Sequence, residues 1–138
     1  MAVLHWIAEM GSVVMIVAAW VMAIREYPSL PVRFPTHFGI AGRPDGWGAK
    51  RMLWLYPVLM FGLYGFNQYI LGLIARDPRH PGMPLGMAWL NFEMLALFLF
   101  IEARSIAVAR GRAAGLGAGF LPVTLAVIVA TSWLLTRG

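Results

Sequence analysis

The residues equipped for chemistry fall in two places. His37, Asp45 and Lys50 stand in the segment 30–50, LPVRFPTHFGIAGRPDGWGAK. An imidazole, a carboxylate and an ammonium can hold an ion or recognise a peptide or a lipid headgroup. They can equally hydrogen-bond the loop's own backbone and one another. One histidine and one aspartate fall short of the three or four ligands of a zinc site, so no metal is expected. The second place lies inside apolar sequence. His5, Glu9 and Ser12 are spaced i, i+4 and i+7 and share a helix face. Asn67 with Gln68, Asn91 with Glu93, and Thr131 with Ser132 follow in later apolar stretches. His5 alone has no second axial partner, so haem or pigment ligation is not expected.

These residues must be positioned by helices. Hydrophobic residues make up 60% of the chain, charged ones 12%, and the mean hydropathy is +0.72. The apolar residues fall in four blocks, about 3–24, 52–74, 86–109 and 119–136. Each reaches or approaches the roughly 20 residues that cross a hydrocarbon core. The expected fold class is an all-α membrane protein. It is a four-transmembrane-helix bundle, one integral domain over 1–138, with a structured interfacial loop at 25–51 between helices one and two. The first block lacks a basic n-region and carries Glu9, so it reads as a span and not as a signal peptide. With no cysteine, disulfides and thiolate chemistry are excluded. The net charge of +5 is assigned to loops facing an anionic membrane surface, not to nucleic acid.

Charge sets the topology. Arg25, Arg33, Arg43, Lys50 and Arg51, with Arg104, Arg110 and Arg112 around loop 3, outweigh Arg76, Arg79 and Arg137 opposite. Loops 1 and 3 are therefore expected in the cytoplasm and both termini outside. In loop 1, Tyr27-Pro28 ends the first helix. Pro31 and Pro35 keep the path extended, and Gly42-Arg43-Pro44-Asp45-Gly46 suits a tight turn. Trp47 and Lys50 suit the interface. Loop 2, with Arg76-Asp77-Pro78-Arg79-His80-Pro81-Gly82, reads as a short proline turn. Glu102 and Arg104 are expected to snorkel or to meet loop 1 groups such as Asp45 or Lys50. Gly111, Gly115 and Gly119 read as a close-packing face if helical and as flexibility if not. Gly62 and Gly65 read as tight packing points on helix two.

On this topology the four polar sets lie very roughly 5–15 Å from the same outer membrane face, at 1.5 Å per residue. They can form an interhelical hydrogen-bond network. They can also form an outward-facing proton or substrate site, or Glu9 can simply be wet.

The order Leu30-Pro31, Pro35-Thr36-His37-Phe38, Gly42, Asp45-Gly46-Trp47-Gly48 and Lys50 resembles the signature of the bacterial domain of unknown function that opens SdpI-type immunity proteins. The resemblance covers helix one to the start of helix two. It marks Pro35, His37, Phe38, Gly42, Asp45, Gly46, Trp47 and Lys50 as pattern residues. Gly39 stands where asparagine is usual, and Arg43 where an acidic or polar residue is commoner. The resemblance implies a bacterial plasma-membrane protein, in some members a protector against a secreted toxin.

No nucleophile with a base, phosphate loop or carboxylate pair in a soluble cleft is present. Neither catalysis nor a cofactor is expected. The expected function is a binding or accessory protein that engages a membrane-protein partner. It is either an immunity-like protector or a peripheral subunit of a larger assembly, such as a respiratory or photosynthetic one. The alternative is a small transporter or channel subunit that uses Glu9, Asn67 and Glu93. The partners expected are the lipid bilayer and a membrane protein, with no nucleic acid.

Overall fold

The computed structural model describes residues 2–79 and 81–137. Four helices are present: α1 (Ala2–Glu26), α2 (Leu55–Ile74), α3 (Met83–Ala109) and α4 (Phe120–Arg137). Two antiparallel strands, β1 (Arg33–Phe38) and β2 (Pro44–Ala49), lie between α1 and α2. The expectation of an all-helical chain is corrected at this point: the interfacial loop is a β-hairpin. His80 and the side chain of Arg137 lie outside the described residues.

Helix ends follow local chemistry. α1 stops at Glu26, and a 3-10 turn, Tyr27–Ser29, carries Pro28. A second 3-10 turn, Lys50–Trp54, leads into α2. α3 ends in a left-handed glycine. Gly111 has φ 72°, its N–H donates to Val108, and the Arg112 N–H donates to Ala107. That pairing satisfies the last carbonyls of the helix.

α1 and α3 lie side by side and parallel, joined by Asn91 to Ser12 near one end and Arg110 to Glu26 at the other. α1 buries Ala8, Ser12, Ile16, Ala19 and Ala23, mostly small residues that let the backbones approach. At Gly11 a Cβ would lie 2.6 Å from the Phe92 ring. Gly62 and Gly65 have no atom within 4 Å of a would-be Cβ, so the tight packing expected of them is absent. α2 joins this pair through two apolar clusters. One gathers Ile16, Ala19, Met60 and Leu95. The other gathers Ala23, Leu30, Phe34, Leu53 and Ile106. Phe34 comes from β1, so the hairpin is pinned to the helices by a fully buried ring. Burying such a ring contributes about 1.5–3 kcal/mol. α4 packs on α3, and none of its described side chains is buried.

The hairpin also docks on the α3–α4 connection. The Leu116 N–H donates to Gly42 O at 2.7 Å, and Arg104 holds Gly115 O with two N–H groups at 3.0 and 2.6 Å. A Cβ on Gly115 would sit 2.2 Å from Gly42 O. The 111–119 segment is thus a loop, yet Gly115 serves close approach and not flexibility. Loops 1 and 3 share one end of the bundle.

Two helices, Ala2–Ser29 and Lys50–Ile74, are long and apolar enough to cross a membrane by length and composition. α3 is longer, about 40 Å at 1.5 Å per residue, but carries Glu93, Glu102 and Arg104. The apolar part of α4, Phe120–Leu134, is shorter.

Gly115→Ala is expected to lower stability by about 1–3 kcal/mol, because the backbone of Gly42 has no room to yield. Gly62→Ala, in open space on a helix, is expected to raise it by about 0.5–1 kcal/mol. Thermal unfolding in detergent, followed by circular dichroism, checks both. Equal midpoints for the two variants would refute the close contact.

Candidate functional site

The hairpin explains its own sequence. Its tip is Gly39-Ile40-Ala41-Gly42, closed by Gly42 N–H to Gly39 O and Gly39 N–H to Arg43 O, each 2.9 Å. Gly42 has φ 76°, a left-handed position that suits a three-residue hairpin loop. The turn therefore falls before Arg43. The expected turn at Gly42–Gly46 is corrected, since Pro44, Asp45 and Gly46 lie in β2. The register slips between Pro35 and Phe38, and such irregularities re-aim side chains. His37 faces Gly46, where a Cβ would come within 3.0 Å of His37 Cβ. On Gly48 a Cβ would come within 2.9 Å of Thr36 Cγ2. The glycines of Asp45-Gly46-Trp47-Gly48 thus clear space for the side chains of Thr36 and His37.

His37 Nδ1 and Asp45 Oδ1 are hydrogen-bonded across the strands, and the side chains are 73% and 55% exposed. With Nδ1 engaged by the carboxylate, Nε2 is the ring nitrogen that Asp45 does not hold. A Cβ on Gly39 would lie 3.4 Å from Asp45 Oδ2, so the glycine leaves that carboxylate room. Lys50 does not join this pair. Its Nζ donates to Tyr27 O at 3.3 Å and sits 4.7 Å from the Tyr27 ring centre, tying the two 3-10 turns together. Trp47 is half-exposed under the Arg33 guanidinium, 5.3 Å from its ring centre. Pro35 is fully buried beside Phe34.

Beneath the hairpin lies a crevice of 370 Å³. Thr36, His37 and Phe38 form its roof, and Tyr56, Leu59, Phe98, Ile101, Leu116 and Phe120 line it below. Close to Tyr56 is Glu102. Its side chain is fully buried, and neither carboxyl oxygen has a hydrogen-bond partner. The Tyr56 and Ser105 hydroxyls bond each other at 3.2 Å. The expected snorkelling of Glu102 is corrected, because the helix turns that residue inward beside Tyr56 of α2. Arg104, one position past the next, reaches loop 3 at Gly115 and not Asp45 or Lys50.

The polar residues of the apolar helices resolve, among the described residues, into three separate contacts, not one network. Tyr64 OH and Gln68 Nε2 donate to Glu9 Oε2 at 2.9 and 2.6 Å. Asn91 Nδ2 donates to Ser12 Oγ at 3.4 Å, and Ser12 Oγ donates to Ala8 O. Thr131 Oγ1 donates to Glu93 Oε1 at 2.5 Å. Glu9 Oε1, Glu93 Oε2 and Asn67 Nδ2 are buried without partners among the described residues. Among the described residues neither His5 nor Ser132 hydrogen-bonds to these sets. Sequence reasoning missed Tyr64, although its i, i+4 spacing to Gln68 was a usable signal. It also missed the burial of Glu102, whose i, i+3 spacing to Ser105 marks a common face. Among the described residues no group of three or more His, Asp or Glu could hold a metal ion.

Residues 14–61 match the family described as Domain of unknown function (DUF1648). The match runs from the middle of α1 through the whole hairpin to the first turns of α2. It is the part of the chain that builds the His37–Asp45 pair. No curated protein and no solved structure matches.

Glu102→Leu is expected to raise stability by about 1–3 kcal/mol, the penalty a buried polar group carries without a hydrogen bond. Thermal unfolding in detergent measures it. A lower midpoint would mean that the carboxyl is held by a partner after all.

Proposed function

We propose that this chain is a four-span bacterial inner-membrane protein with the hairpin and the α3–α4 loop in the cytoplasm. It acts without catalysis, as a binding or accessory protein for another membrane protein. One observation carries this reading. Among the described residues, large apolar side chains exposed on α1, α2 and α4 outnumber the buried ones, as with Val14, Val17, Val21, Phe61, Phe66 and Val129. Apolar faces of this extent are covered by lipid or by a neighbouring protein. The small bundle leaves both sides of α4 open to such a neighbour. The likeness of the hairpin motif to that of SdpI-type immunity proteins suits a protective or accessory role. On this reading the exposed His37–Asp45 pair is the cytoplasmic recognition point.

A second reading, a small transporter or channel subunit, is supported by the unpartnered Glu9 Oε1, Asn67 Nδ2 and Glu93 Oε2. Buried polar groups without partners mark ion or substrate paths in membranes. Four helices enclose little volume, so this role requires self-association.

Purification in mild detergent separates the two. A stoichiometric foreign membrane protein, lost from the complex on His37→Ala with Asp45→Ala, is the expected result. A self-oligomer that passes ions in liposomes, with flux abolished by Glu9→Gln or Glu93→Gln, would overturn it in favour of transport.

A further inference from the structure

The crevice under the hairpin adjoins a second cavity. A groove of 540 Å³ runs between α3 and α4, and Leu116 and Phe120 line both spaces. Together they form one track. It opens beneath His37 and reaches Ile128, which lies roughly 12 Å along α4 from Phe120 at 1.5 Å per residue. Its walls are almost wholly apolar, with Phe98, Phe100, Leu97 and Val127 among them. Glu93, at the deep end, is tied to Thr131.

The mouth is different. Arg43 is exposed and its backbone overlies Gly115, beside Leu116 of the track wall: a Cβ on Gly115 would lie 3.2 Å from Arg43 Cα. The Arg104 guanidinium, which holds Gly115 O, stands beside the same Leu116, and Asp45 is paired with His37. The nearby Glu26 is held by Arg110. Beside Leu116 the mouth therefore carries Arg43 and Arg104, with no ion pair to either among the described residues. An apolar track with a cationic mouth matches a molecule with one long tail path and one anionic head. A peptide would leave its backbone groups unpaired along such walls, whereas an acyl chain has none.

We propose that this track holds an acyl chain of an anionic phospholipid, with the headgroup phosphate accepting from the guanidinium of Arg43 at the mouth. The lipid would fill the space between α3 and α4 and seat the loosely packed α4. Cytoplasmic-leaflet anionic lipids lie at the right depth for the mouth. The inference rests on the reading of the helices as membrane spans. Alkaline carbonate extraction tests that reading separately, because a chain that leaves the membrane there fails as a span whatever it binds.

The lipid itself is tested by native mass spectrometry from nanodiscs of phosphatidylcholine and phosphatidylglycerol. Wild type is expected to retain one phosphatidylglycerol in preference to phosphatidylcholine. Arg43→Gln is expected to weaken that preference about tenfold, the effect of losing a charge-assisted contact. Val127→Trp, which fills the groove, is expected to lose retention of both lipids. Because a variant can misfold, wild-type protein is also labelled with phosphatidylglycerol carrying a photoreactive diazirine in its tail. Adducts are expected on the Phe92–Phe100 and Phe120–Ile128 segments, above the level on the exposed Val14, Val17 and Val21 face of α1. Equal retention of the two lipids by wild type, or adducts spread evenly over the apolar surface, would overturn the proposal.

Discussion

The arrangement depends on one place where two backbones touch with no side chain between them. Gly42 turns its carbonyl to the Leu116 N–H at 2.7 Å, and Gly115 has no Cβ to obstruct it. Arg104 then holds the Gly115 carbonyl from α3. This junction fixes the hairpin tip against the far end of the bundle. It works together with the buried Phe34, which anchors the other part of the same hairpin among α1, α2 and α3. A hairpin of two short strands is marginal by itself. Here it is held at both its body and its tip, so the strands need little intrinsic stability.

With the hairpin held, its functional groups take defined positions. His37 and Asp45 pair across the strands because Gly46 and Gly48 leave room on β2 for Thr36 and His37. The pair is exposed and contributes little stability, as exposed ion pairs do. Its value is the position of a ring nitrogen at the mouth of an apolar crevice. Glu102 is the contrasting case. It is fully buried beside Tyr56 with no hydrogen bond among the described residues, a liability that a helix-packing role alone does not explain.

The helices carry polar groups in pairs, each across one helix–helix seam. Glu9 takes two donors from α2, Asn91 reaches Ser12, and Thr131 reaches Glu93. Hydrogen bonds of this kind contribute about 0.6–2 kcal/mol each in an apolar surrounding. They also fix register, since sliding a helix by one turn would leave a carboxyl unpaired. Three separate seams do not make a continuous polar path, although those of Glu9 and Glu93 each leave a carboxyl oxygen unpartnered among the described residues.

Much of the outline was legible from composition and punctuation. Four apolar blocks separated by proline and glycine runs dictate four helices, because no other element satisfies the backbone over such lengths of apolar residues. The motif between the first two blocks marked His37, Asp45 and the glycines as one unit, since unusual residue types at tight spacing must serve local geometry. The sequence did not reveal that this unit is a β-hairpin with its turn at Gly39–Gly42. Turn position depends on which backbone groups find partners, and Leu116, far along the chain, supplies one of them. Nor did it reveal that Glu102 is buried while Arg104 clamps Gly115, or that Gly62 and Gly65 meet nothing. Those outcomes depend on which helix face another helix happens to cover. The chain alone determines which residues are apolar and where the backbone can turn. The packed arrangement decides which polar groups are paired, exposed or left alone, because pairing requires a partner brought from elsewhere in the chain.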